Sequence, residues 1–447
     1  MPFTPASQVP DAPGAVPLLG HTLRLLRDPL DWLLECAHAE PVVRVRLGPR
    51  TAYLVCRADL VHDVLVGQVN SFDKGGPFFD RYREVIGNGI GSDIHADHRA
   101  QRLLMQPAFT RSHIDTYTPI LQEESAALTD SWRPGTEVDL VHGLMTVATK
   151  VLSRAILPTL NTREAESILP DLQAVMAGLM TRIAIPYNWP LDLPLPTNRR
   201  FTRSLAALRA AAARWVAAAR QDPRSGGLLA SFIQAGTDDP AHVLDDTDLR
   251  DQVITLLIAG TDTTSATLGW LFHLLTLHAE HEERLHHELD TVLGGALAGP
   301  DTYDRLPLTR GLLLETMRLY PAGPLLSRVS TTPVTLAGHH FPPGTDFFIS
   351  AYLLHHHPTA FPDPHGFDPD RWTVSRQPDA HHGYIPFGAG KRKCIGDTLA
   401  LAEATTLVSA IASRWRLHPA PGTRVRPLLR TTLIPAGLNL IAVPRRP

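Results

Sequence analysis

Cysteine is almost absent from this chain. Only Cys36, Cys56 and Cys394 occur among 447 residues, and no two form a Cys-x-x-Cys pair. So sparse and odd a set argues against a disulfide framework and for a reducing compartment. Long apolar runs are missing as well. None reaches the roughly 18 consecutive residues of a membrane span, so no membrane anchor is expected. There is no excess of either charge, the net being −3, and nothing points to nucleic acid as a partner. Residues 1–20 are rich in Pro and Ala, without the basic-then-apolar order of a signal peptide, and a cytoplasmic protein is expected. What is present is ample apolar material, 44% of the residues, and no internal repeat or long linker divides it.

Periodicity organises the chain into a helix near 31–39, an alternating Val-rich hairpin over 42–47 and 52–56, and a helix over 59–66. Residues 71–97 read as an irregular loop with scattered Phe, Tyr and Ile among glycines. So long a loop inside a compact protein is usually functional. Helical patterns run from about 98 to 319, with an Ala-rich amphipathic stretch over 204–220. Asp245, Asp246 and Thr247 are N-cap candidates for a helix reaching about residue 278. That helix is apolar nearly all round, through Val253, Ile254, Leu256, Leu257, Leu268, Trp270 and Phe272, so it should be a buried spine. A charged surface helix is expected over 280–293. Strands are expected at 334–337 and 346–351, coil over most of 371–390, a helix over 397–415, and short strands beyond.

Two segments carry chemistry. The first is Phe387-Gly388-Ala-Gly390-Lys391-Arg392-Lys393-Cys394-Ile-Gly396. A glycine turn presents one sulfur just before a helix, where backbone N–H groups and the helix dipole favour a thiolate. A lone Cys is more often a buried structural thiol, and only the ten-residue context reverses that reading. The second is Ala259-Gly260-Thr261-Asp262-Thr263-Thr264 in the buried helix. An acid and several hydroxyls there are costly unless bonded or used. Thr263 can donate back to the Ala259 carbonyl and bend the helix. A tolerated polar kink is the plain alternative.

The first segment resembles the haem-binding signature of the cytochromes P450 at every fixed position, and four further motifs follow in order along nearly the whole chain. The resemblance implies a mainly α fold with small β-sheets, one domain over 1–447 with its β-rich parts near 40–60 and 330–352, and haem b ligated by Cys394. It implies that Asp262 relays protons and Thr263 hydrogen-bonds at the dioxygen site, and that Ala259, Phe387, Gly388 and Gly396 line the haem. Glu315 and Arg318, one helical turn apart, would pair with Arg371 as fold residues; by spacing alone they are an ordinary ion pair. The haem carboxylates would take His98, Arg102, Arg328 and Arg392, with His98 where the family usually has Trp. His355, His356 and His357 follow the family's His-x-acid-Pro turn, with His357 in the acid's place. They and the pair His95 and His98 lack zinc-type partner spacing.

The resemblance further implies a distal pocket. Phe78, Phe79, Tyr82, Ile86 and Ile90 would come from the 71–97 loop and Met176 and Met180 from the 176–190 region. Leu256 would come from the buried helix, Pro324 and Leu325 from the segment after Pro321, and Ile434 from a late turn. Nearly all are apolar, so a lipophilic small molecule held by shape is expected, with about half of these residues touching it. Asp73-Lys-Gly-Gly-Pro-Phe-Phe-Asp80 followed by Gly87-Asn-Gly resembles terpenoid, pentalenene-oxygenase-type bacterial members. The activity implied is insertion of one oxygen atom from O2, with electrons from NAD(P)H through a separate ferredoxin and ferredoxin reductase docking near Lys391, Lys393, Arg99 and Arg111. A monomer is expected. Oxidative C–C or C–N coupling on the same scaffold, or passive haem binding, are the alternatives.

Overall fold

The computed structural model describes residues 4–37, 40–184, 189–222, 226–238, 243–372 and 383–445. The chain packs as two compact units. One comprises Met1–Asp80 with Leu314–Cys394, and the other Arg81–Leu313 with Ile395–Pro447.

The first unit is built on a five-stranded mixed sheet in the order Val42–Leu47, Arg50–Val55, Asp346–Ile349, Leu326–Ser330, Phe72–Asp73. The first two strands form the expected hairpin, Val42 opposite Val55 and Leu47 opposite Arg50. Arg50–Val55 then runs parallel to Asp346–Ile349. Apolar side chains on these strands build the unit's core, where Val43, Val45, Leu54, Val55, Phe347 and Ile349 are essentially unexposed, joined by Phe341 from the strand His339–Phe341. Phe72, Phe341 and Phe347 add edge-to-face ring contacts.

The second unit is mainly helical around Asp246–Leu277, here called the central helix. Asp245 caps it: its side chain accepts the Asp248 N–H at 2.8 Å, and the Asp248 carboxylate accepts the Asp245 N–H at 3.2 Å. The helix is buried along most of its length, as an all-round apolar sequence requires. Its glycines allow close approach. A Cβ at Gly260 would stand 2.5 Å from Leu152 of the helix Leu140–Ile156, and one at Gly269 would stand 2.9 Å from Pro435. Two small antiparallel sheets complete the unit: Trp415–Pro419 with Leu440–Pro444 and Glu137–Val138, and the hairpin Arg426–Leu429 with Leu433–Ala436.

Several expectations are corrected. The 71–97 segment is not an irregular loop. It holds the strand Phe72–Asp73, the helix Gly76–Ile86 and the start of the helix His95–Met105. Gly75-Gly76-Pro77 reads as a breaker, but proline in the first turn is compatible with helix. The helix over 59–66 is Ala58–His62, which widens into a π turn at Asp63–Gly67. The Ala-rich helix is longer than 204–220, spanning Pro196–Gln221. The strand over 346–351 stops at Ile349, because Ser350 turns the chain by capping the helix Ala351–His355 at the Leu353 N–H. The predicted coil over 371–390 and the 31–39 and 176–190 regions fall partly outside the described residues.

Candidate active site

The Cys394 loop belongs to the first unit. Gly388 and Gly390 hold the left-handed conformation, at φ +70° and +68°, and any Cβ at Gly390 would collide with the Leu65 carbonyl at 2.1 Å. The Cys394 N–H closes the turn onto the Phe387 carbonyl at 2.9 Å. Three residues later the helix Asp397–Arg414 begins. Cys394 is exposed, whereas Cys36 and Cys56 are buried, and burial pushes the Cys36 thiol up to about 12 and the Cys56 thiol higher. Only Cys394 is therefore placed to serve as an open thiolate ligand.

Two of the expected cations meet in the same unit. Arg328 is buried on the strand Leu326–Ser330, where its Nη1 donates to the Ser327 carbonyl at 2.7 Å. Burial, reinforced by the neighbouring Arg392 and opposed by Asp73, pushes its guanidinium down to about 10. Arg392 pairs with Asp73 at 2.5 Å, both side chains nearly buried. Two buried guanidinium groups gathered in one place are the donors that a haem carboxylate takes, so these residues fit the group. Asp73 was not foreseen in this role. In the second unit His98 is buried on the helix His95–Met105, and Arg102, one turn on, donates to Gln106 at 3.1 Å. The side chain of His95 lies outside the described residues.

On the central helix, Thr263 donates to the Ala259 carbonyl at 2.7 Å, as its spacing suggested. Ala259 is exposed and Gly260 and Thr263 are half-buried on a helix that is otherwise buried nearby, so the helix opens a window of small residues there. Asp262 is buried. Its Oδ2 accepts hydroxyls from Thr432 at 2.6 Å and Thr431 at 2.9 Å. Burial raises its pKa, while the two hydroxyls and Arg430 pull it down. Glu403, on the helix Asp397–Arg414, is fully buried and accepts the Thr264 hydroxyl at 3.3 Å. Burial pushes it up to about 8. The partners Thr431, Thr432 and Glu403 were not found from sequence. They lie 139 to 170 residues from the motif and share no spacing with it.

Tyr82, Ile86, Ile90, Met176 and Leu256 share one apolar cluster in the second unit, with Tyr82 packed against it and the other four among its buried members. Ile86 is wholly enclosed, as a core residue is, and Met180 on the helix Leu169–Ala184 is half-buried. Phe78 and Phe79 meet edge-to-face at 5.2 Å in the first unit, where Pro324 accepts the Ser350 hydroxyl and Leu325 is half-buried. Ile434 sits in the late hairpin, half-buried.

Glu315 and Arg318 are not a surface pair: both are fully buried. Arg318 donates twice to Glu315, at 2.8 and 2.9 Å, and also to the carbonyls of His355, Pro364 and Gly366. Arg371 reaches Glu315 at 3.4 Å, and the Trp372 indole N–H at 2.8 Å. Buried charge explains the fold role, since removing one partner would strand the others. His355 accepts the Ile385 N–H at Nε2, which places its proton on Nδ1, facing the Arg318 carbonyl. Burial pushes His355 down to about 3 and His356 to about 4. These are neutral structural imidazoles.

A thiol loop, a buried cation set and a long helix with an acid–alcohol pair are the features expected of a haem-thiolate enzyme. The Cytochrome P450 family profile matches residues 10–443, and the chain belongs to that family. It is 40% identical over 437 residues to cyclooctat-9-en-7-ol 5-monooxygenase of Streptomyces melanosporofaciens, covering 97% of this chain and 95% of that protein. It is 37% identical to cyclooctatin synthase of the same organism, over 97% of this chain and 95% of that protein. Pentalenene oxygenase of Streptomyces avermitilis is 36% identical, over 98% and 97%. A crystal structure of a mutant cytochrome P450DA heme domain superposes with a TM-score of 0.88 at 24% identity, covering 98% of both chains, and has the same fold. The chain is a cytochrome P450 monooxygenase that uses haem iron, O2 and a redox partner. The readings as a coupling enzyme or a passive haem binder are not favoured. Among the described residues no helix is long and apolar enough to cross a membrane.

Proposed function

We propose that this monooxygenase oxidises a polycyclic terpenoid, acting as one catalytic domain over 1–447. The observation that carries the substrate class is the naming of three relatives, each 36–40% identical over nearly the full length, for cyclooctatin-type and pentalenene substrates. The apolar composition of the candidate wall supports it: Tyr82, Ile90, Met176 and Leu256 offer one phenol and otherwise hydrocarbon and thioether surface.

Cys394 would ligate the iron, and Arg328 and Arg392, with His98 and Arg102, would take the haem carboxylates. The haem-thiolate, when bound, supplies O2 activation and one-atom transfer. The chain's own residues do the rest. Asp262 takes up and returns a proton at its carboxylate. Thr263, its hydroxyl hydrogen committed to Ala259, offers an oxygen lone pair as acceptor. Burial around the central helix excludes water from the apolar cluster.

Electrons come from NAD(P)H by way of a ferredoxin reductase and an acidic ferredoxin. Lys391, Lys393 and Arg99 are exposed. Arg111 is already paired with Asp304 at 2.8 Å, which weakens its claim on a partner. We place the protein in the cytoplasm as a monomer.

A panel of cyclic terpene hydrocarbons and alcohols, polar controls and fatty acids, titrated into the ferric enzyme, tests the substrate class. Terpenes should convert the low-spin Soret band to high spin at micromolar concentration. A panel in which only fatty acids do so would reject a terpenoid substrate. The reduced CO complex must show the far-red-shifted Soret band of thiolate ligation, and its absence would reject Cys394 as ligand.

A further inference from the structure

The acid of the central helix is held in an unusual way. Among the described residues no ion pair anchors Asp262. Both of its recorded contacts are hydroxyl hydrogen bonds to one oxygen, Oδ2, from consecutive threonines. The hairpin that carries them is pinned to the same helix. The Trp270 indole donates to the Leu433 carbonyl at 2.9 Å, and Gly269 admits Pro435 at a distance no side chain there would tolerate. The Arg430 N–H bonds the Thr432 carbonyl at 2.9 Å and closes the turn. Thr432 is itself buried, so its hydroxyl has no solvent to turn to. A rigid turn thus aims two donors at the one acid of the motif.

We propose that Thr431 and Thr432 are positioning residues that hold Asp262 as a carboxylate in a single orientation and thereby govern when it takes and releases a proton. This rests on the reading of Asp262 as the relay. A threonine hydroxyl donates to a carboxylate and keeps it charged, yet can rotate and accept instead once the acid is protonated. An arginine in the same place would hold the charge permanently, since it cannot accept. The pair therefore stabilises the charged form without locking it. The other groups that bear on Asp262 are few. Arg430, in the same turn, favours the carboxylate, and the buried phenol of Tyr82, itself pushed up to about 12, registers Asp262 as a nearby negative charge.

Infrared spectroscopy of the ferric holoenzyme tests this without turnover. The protonated carboxyl stretch of Asp262 is identified by its loss in Asp262→Asn and followed against pH. In Thr431→Val/Thr432→Val its midpoint should rise by one pH unit or more. In Thr431→Ser/Thr432→Ser, which keeps both hydroxyls, it should return to the parent value. Thr432→Val alone, a gentler change should the double variant fold poorly, should show a smaller rise in the same direction. A midpoint unmoved in either valine variant would overturn the proposal, as would a serine pair that behaves like valine. The ratio of product to hydrogen peroxide in Asp262→Asn separates the two readings. If it equals the parent's while the infrared shift stands, the relay role falls and the positioning role survives.

Discussion

Two buried carboxylates in this protein meet opposite fates. Glu315, in the first unit, has both oxygens occupied by fixed donors: Arg318 twice, Arg371, the Trp372 indole and the Asp368 N–H. Asp262, in the second, has hydroxyls on one oxygen and a pKa raised by burial. The first arrangement is a staple, because planar guanidinium and indole donors leave a proton no seat. The second can exchange a proton, because hydroxyls both donate and accept. The sequence places an acid in a helix in both cases. The partners decide whether it is fastened or left able to exchange a proton.

Breaking the staple should have the larger effect. Glu315→Gln would leave the buried Arg318 and the partly buried Arg371 uncompensated, at a cost of about 3–5 kcal/mol, read as a fall in the denaturant midpoint with loss of bound haem. Asp262→Asn should do the reverse. Its unfolding midpoint should stay near the parent's, while turnover falls by about 10²-fold or more, the usual scale for a lost acid–base group. Should Asp262→Asn unfold the protein and Glu315→Gln merely slow it, the contrast would be inverted.

Glu403 sharpens the comparison as a third buried acid, with the Thr264 hydroxyl as a donor. Its folded value of about 8 lies above the ordinary 4.5, so the fold favours the neutral form. Stability from this group is complete below about pH 4.5 and is lost as pH rises toward 8. Glu403→Gln should flatten that decline and exceed the parent's stability above pH 8, by on the order of a few kcal/mol. Melting temperatures across pH 5–9 check it, and parallel curves for the two proteins would refute it. The smallest effect belongs to exposed charge. Lys391→Glu with Lys393→Glu should slow ferredoxin-driven reduction several-fold at low salt and little at high salt, leaving stability unchanged. A salt-independent rate would remove these lysines from the docking site.

Much of this was legible in the chain. The central helix was bounded to within two residues, because an aspartate cap and an apolar run are local signals. The Cys394 turn was legible because its residues are contiguous. The helix Gly76–Ile86 was not, since two glycines and a proline at its start carry the same letters as a loop. The burial of Glu315 and Arg318 was hidden too, because their spacing is that of any surface pair.

By itself the sequence determined the family, the spine helix and the local motifs around Cys394 and around Asp262 and Thr263, all written in near neighbours. Only the tertiary structure decided that Asp73 shares the buried cations, that Glu403 lies beneath Thr264, and that Thr431 and Thr432 hold Asp262. These pairs are separated by 139 to 319 residues. Proton affinity depends on burial and on donors within a few ångströms, and neither is encoded in spacing along the chain.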